Sequence, residues 1–106
     1  MKVYLDDNRP CPEGWLLAQT ADDCIRLLQT RKCTHLSLDH DLSFEQYHGD
    51  YSKEKSGYDV LLWLCQTVMN DQAFPVPEIT LHTMNPAGRA RMKLALHSLE
   101  KLKNER

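Results

Sequence analysis

The sequence predicts a single α/β domain over residues 1–106, a three-layer sandwich around a short, mostly parallel four-stranded sheet. Three observations predict it. Short apolar runs alternate with stretches of helical periodicity, and strands alternating with helices favour a parallel sheet with helices on both faces. Three of the runs end abruptly in polar or ionisable side chains: Asp6-Asp7, Asp39-His40-Asp41, and His82 through Asn85. Charged groups are costly to bury unless paired or bound to a metal, so these clusters belong at strand exits. In open α/β sheets ligands bind beyond the carboxyl ends of the strands, and the clusters therefore mark one sheet edge built as a site.

Taken in order, Lys2 to Leu5 reads as the first strand, followed by a Pro- and Gly-bearing loop from Asn8 to Gly14. Trp15 to Ala18 is a short second strand at the sheet edge. Thr20 reads as an N-cap with Asp22 and Asp23 in the first turn, where the helix dipole favours negative charge. Ala21, Cys24, Ile25 and Leu28 recur at helical spacing, so this helix runs to about Arg31. His35 to Leu38 is the central strand. The stretch from Leu42 to Ser56 has few apolar residues, and a connection of that length reads as a lid or binding loop or as a surface loop. Gly57 to about Asn70 is an apolar helix with Leu61, Leu64, Cys65 and Val68 on one face, widened by Leu62 and Trp63. Phe74 to Pro77 is a stiff connector into a last strand, Glu78 to His82. Asn85-Pro86 then starts the final helix as N-cap and first-turn proline, with Met92, Ala95, Leu96, Leu99 and Leu102 on its buried face.

Composition narrows the function classes. A formal net charge of -2 gives no electrostatic case for nonspecific binding of a long nucleic acid. No apolar run approaches the roughly 18 residues of a membrane span, and the N-terminus lacks a signal-peptide core, so a soluble cytoplasmic protein is expected. Cys11, Cys24, Cys33 and Cys65 show no CxxC spacing. Cys24 and Cys65 read as packing residues, Cys11 and Cys33 as partly exposed thiols near loops, and zinc from these four is not expected.

The clusters specify chemistry. Asp6, Asp7 and Asp39 offer hard oxygen ligands from two strands, suited to Mg²⁺ or Mn²⁺. The competing structural reading has Asp6 or Asp7 capping a turn and Asp39 pairing with Arg9. His40 and His82, from different strands, would face one another across a substrate as acid and base, or with Asp41 hold a transition metal. A core role is the alternative for His82, and His35, His48 and His97 carry no comparable signal. Asn85 to Arg89 sets a helix start beside the third cluster. Its backbone N–H groups form an anion site, Gly88 allows close approach, and Arg89 clamps a phosphate. An ordinary helix cap with a solvated arginine is the plainer alternative.

These residues make the sequence resemble the cyclic-phosphate-processing receiver-like family, a compact relative of response-regulator receiver domains. The matching pieces are Leu5-Asp6-Asp7-Asn8-Arg9-Pro10 with Trp15, Ser37-Leu38-Asp39-His40-Asp41-Leu42, Ser56-Gly57-Tyr58-Asp59 with Trp63, and His82 through Arg89 with Met92. The resemblance implies a receiver- or flavodoxin-like sheet lacking the fifth strand, and action on cyclic phosphates of RNA ends or nucleotide derivatives. It carries over Asp6, Asp7 and Asp39 as the acidic, cation-binding pocket. His40, Asp41, His82, Asn85 and Arg89 are then the features particular to the group, with Arg9, Thr83 and Gly88 joining the phosphate-binding candidates. Thr83 stands where a serine is associated with the family and keeps a hydroxyl; Ser43 stands where a glycine is common. No fifth strand with a lysine follows, which weakens a phosphoaspartate role.

Three functions compete. A phosphoesterase would open a cyclic phosphate with catalytic His40, His82, Asp39 and Asp41. A sequestering module would bind a phosphorylated nucleotide or RNA terminus unchanged, and a receiver-like switch would accept phosphate on Asp39. An HD-type metallohydrolase is set aside because its His-Asp motif belongs to helical folds. Sequence leaves the oligomeric state open.

Overall fold

Val3 and Leu5 alternate with Lys2 and Tyr4, and this period-two pattern forms β1 (Lys2–Leu5) with Val3 and Leu5 fully buried. The structure, a computed structural model, describes residues 1–40 and 55–105. After β1 come β2 (Leu16–Ala18), α1 (Ala21–Gln29), β3 (His35–Leu38), α2 (Gly57–Asn70), β4 (Glu78–Leu81) and α3 (Pro86–Asn104). The strands lie in the order β2-β1-β3-β4 and every pairing is parallel. This is the expected receiver-like α/β fold, with no fifth strand among the described residues.

The helix boundaries follow from their caps. Thr20 accepts the Asp23 N–H at 3.1 Å, and Asn85 accepts the Gly88 N–H at 3.0 Å ahead of Pro86. Ser56 and Asp59 form a reciprocal capping box at the start of α2. The first helix stops before the expected Arg31. Arg31 takes a left-handed conformation, φ 64°, and its N–H closes on Leu28 O at 3.0 Å, a C-terminal turn that ends the helix.

The three-layer expectation is corrected. Residues from α1 (Ala21, Cys24, Leu28), α2 (Val60, Leu61, Leu64) and α3 (Met92, Leu99) share one core with Val3, Leu5, Leu36 and Leu38. The connections β2-α1-β3 and β3-α2-β4 both step across the sheet in one direction. Right-handed crossovers then put both helices on the same face. The loop of residues 6–15, not a helix, joins β1 to β2. Among the described residues the opposite face, with Lys2, Tyr4, His35, Ser37, Glu78 and Thr80, carries no helix. No described helix is long and apolar enough to cross a membrane.

Burial sorts the cysteines. Cys24 and Cys33 are both buried, so Cys33 is not the exposed thiol expected from its loop position. Burial, with Cys33 as a smaller contributor, pushes the Cys24 thiol up to about 12, which makes it a packing group.

Candidate active site at the carboxyl ends of the strands

Register assembles the site. Leu5, Leu38 and Leu81 are aligned across β1, β3 and β4, so the residues that follow them, Asp6, Asp39 and His82, fall into one rank. The ladder continues through that rank: Asp39 N–H donates to Leu5 O at 3.0 Å and His82 N–H to Leu38 O at 2.9 Å. One ligand atom from each of Asp6, Asp39 and His82 lies within 4.8 Å of the others. Asp6, Ser37 and Thr83 are the buried polar residues among those described, and all three bond within this site. Buried polar atoms demand partners, so this is where the molecule concentrates its polar organisation.

Asp6 is only 1 % exposed. Its Oδ1 accepts the Asn8 and Arg9 backbone N–H groups at 2.8 and 2.9 Å, so it caps a turn. Its Oδ2 takes the His82 Nε2 at 3.1 Å, and the other imidazole nitrogen, Nδ1, lies 2.7 Å from Ser37 Oγ. The His82 ring stacks on Tyr4 with centroids 4.3 Å apart and planes 4° from parallel. The turn cap expected as one reading of Asp6 is present, and its second carboxylate oxygen turns towards His82.

Asp39 accepts the His40 N–H at 2.8 Å and a hydrogen bond from the Thr83 side chain. Burial, and then the neighbouring Asp6 charge, raise its carboxyl above the ordinary value. Arg9 does not pair with Asp39. Its Nε lies 3.9 Å from Asp6 Oδ2, and its Nη1 donates to His82 O at 3.0 Å. Arg89 Nη1 reaches Leu81 O at 3.4 Å, so the two guanidinium groups contact successive carbonyls at the end of β4.

Several expected placements change. His40 and His82 do not face one another. Register aligns His82 with Asp39, and His40 comes one residue later, so period-two alternation separates them. His82 lies on the open face over Tyr4, whereas the His40 ring packs on Gly88 in the first turn of α3. A Cβ on Gly88 would sit 2.4 Å from His40 Cγ, so the room at this glycine admits the imidazole and not an anion. Asn85 spends its side-chain oxygen on capping α3. Asp7 stands outside the three-residue cluster, half-buried beside a cleft of about 180 Å³ lined with Gln19, Thr20 and Asp23. Asp41 and the stretch 42–54 lie outside the described residues.

Sequence reasoning assigned no role to Ser37 or Tyr4. The signal was present: a serine between Leu36 and Leu38 in an apolar strand is a polar residue that needs a partner.

A parallel sheet whose strand ends gather two carboxylates, a hydroxyl and flanking arginines defines a receiver-like domain with an acidic pocket. The chain belongs to the cyclic-phosphate processing receiver domain family, whose sequence model matches residues 1–98. Neither a curated protein nor a solved structure matches it.

Proposed function

We propose that the domain is a phosphoesterase that opens a cyclic phosphate on a nucleotide, an RNA terminus or an ADP-ribose derivative. The observation that carries this reading is the rank of Asp6, Asp39 and His82 across three adjacent strand ends, with Arg9 beside it. Family membership supports the phosphate class. Water attacks phosphorus, one ring P–O bond breaks, and a monoester results. Asp39, whose raised proton affinity suits a base, takes the proton of the water. His40, at the start of α3, returns a proton to the leaving oxygen. Arg9 and Arg89 turn their guanidinium groups to the phosphate oxygens. His82, with Asp6 on one nitrogen and Ser37 on the other, orders the pocket and does not shuttle protons.

The two carboxylates fit a hard divalent cation such as Mg²⁺ or Mn²⁺, and the like charges of Asp6 and Asp39 would be relieved by one. Asp6 and Asp39 would hold it, with His82 fixing the Asp6 carboxylate beside it, and it would supply Lewis-acid polarisation of a phosphoryl oxygen.

Phosphorus NMR on 2′,3′-cyclic nucleotides and an ADP-ribose cyclic phosphate, with Mg²⁺, Mn²⁺ or EDTA, tests the proposal. The expected result is conversion of the cyclic resonance to a monoester, lost in His40→Ala and in Asp39→Asn. A shifted or broadened but unconverted signal would overturn the enzyme and leave a sequestering module. Acid-labile phosphate on Asp39 would instead establish a receiver-like switch.

A further inference from the structure

We infer that Ser37 is a positioning residue for His82, fixing the imidazole so that its Nε2–H faces Asp6. The inference deepens the reading of the strand-end cluster as an active site and rests on that reading for its functional consequence.

Ser37 is 6 % exposed and sits mid-strand between Leu36 and Leu38, both fully buried. Nothing in an apolar strand requires a hydroxyl there. Alanine would complete the strand without burying a polar atom, and an unpartnered buried hydroxyl costs about 1–3 kcal/mol. What the hydroxyl gains is His82 Nδ1 at 2.7 Å, across 45 residues of sequence.

The proton positions follow from the partners. A carboxylate only accepts, so the 3.1 Å contact between His82 Nε2 and Asp6 Oδ2 requires the proton on Nε2. In the neutral ring Nδ1 is then a lone pair, and Ser37 Oγ–H donates to it. The opposite tautomer would set the Nε2 lone pair against the carboxylate. Tyr4, stacked on the ring at 4.3 Å, restricts its tilt but supplies no bond that distinguishes Nδ1 from Nε2. Asp6 selects the tautomer, and Ser37, bonded to the second nitrogen, holds the ring in the orientation that presents Nε2–H to it. An imidazole's second hydrogen bond fixes its ring orientation, and in metal sites removing the partner that orients a histidine typically costs about 10–100-fold in activity or metal affinity.

The test reads the ring directly. Two-dimensional spectra correlating ring nitrogens with ring protons are recorded on ¹⁵N-labelled full-length protein in EDTA, with His82→Ala assigning the signals. Wild type is expected to show His82 as the single Nε2–H tautomer. Ser37→Ala should keep Nε2–H beside Asp6 but shift the Nδ1 resonance and broaden the ring signals as the imidazole loses its second anchor, while Thr80→Ala, a change on the same sheet face but outside the site, should leave the signature unchanged. An identical His82 signature in wild type and Ser37→Ala overturns the inference, as does an Nδ1–H tautomer in wild type. On any cyclic phosphate that wild type converts, Ser37→Ala should lower kcat about tenfold with KM within about twofold. If wild type converts none, the phosphoesterase reading falls while the ring signature still decides the role of Ser37.

Discussion

The two faces of the sheet are cut from the same strands, one residue out of phase, and they have been put to different uses. On the helix side Val3, Leu5, Leu36 and Leu38 are all fully buried against residues of α1, α2 and α3. On the open side Tyr4, Ser37 and His82 make a polar and aromatic assembly leading to Asp6 and Asp39. The difference teaches that stability and chemistry are separated by the pleat. Apolar burial of about 25 cal/mol per Å² accrues on one face, while the hydrogen bonds that orient the site lie on the other. Covering the open face would add burial but restrict access to His82, and the described chain leaves it without a helix.

The sharpest way to break this comparison is to cut one residue from each face of neighbouring strands. Leu36→Ala should lower unfolding stability by about 2–5 kcal/mol, the range for truncating a fully buried leucine. Thr80→Ala, on the open face, should stay within about 0.5 kcal/mol. Denaturant midpoints measure both. Similar losses at the two positions would mean that the open face is also a packed layer.

Gly57→Ala probes the seam between the two faces and should come next in size. A Cβ there would lie 2.0 Å from the Asp39 carbonyl oxygen, a backbone atom that cannot swing aside. The start of α2 must then move off the exit of β3, at an expected cost of about 1–3 kcal/mol. Because Asp39 moves with it, cyclic-phosphate turnover should fall further than the loss of folded protein explains. Thermal melts and kinetics on the same preparation check this, and a fall in activity that only tracks unfolding would sever the link. Gly88→Ala should be milder in stability, since the atom at 2.4 Å belongs to the His40 side chain, which can turn away.

How much of this was legible in the sequence depends on the range of the forces. The strands, the caps at Thr20 and Asn85, and the convergence of polar strand ends are local pattern plus topology, and they read through. The two-layer arrangement did not. Alternating strands and helices fix a parallel sheet, but which face each helix takes depends on the strand order β2-β1-β3-β4, a long-range property. The opposed placement of His40 and His82 was hidden for a related reason. Both follow strands and both are histidines, and only the register, Leu38 beside Leu81, shows them to be out of phase. Gly88 was misread because nothing local says that the space above it belongs to His40. Ser37 was legible in principle, as a lone hydroxyl in an apolar strand, but its partner lies in a different strand.

The smallest effect has the opposite sign. Asp39 carries a carboxyl raised above its ordinary value of 3.8, first by burial and then by the Asp6 charge. Above 3.8 and up to that raised value, the folded chain holds a proton that the unfolded chain releases. The stability this contributes is fully present below the ordinary value and is lost as pH rises through the raised one. At neutral pH the ionised Asp39 therefore opposes folding. Asp39→Asn keeps an oxygen to accept the His40 N–H and removes the charge beside Asp6. In EDTA, so that no cation offsets the repulsion, the variant should melt higher than wild type at pH 7. The gain should shrink as pH is lowered towards the ordinary carboxylate range, and turnover should be lost throughout. A variant that melts lower than wild type at pH 7 would mean that the Asp39 carboxylate stabilises the pocket. The site would then be part of what holds the fold together, and the separation between the two faces would fail at its most polar point.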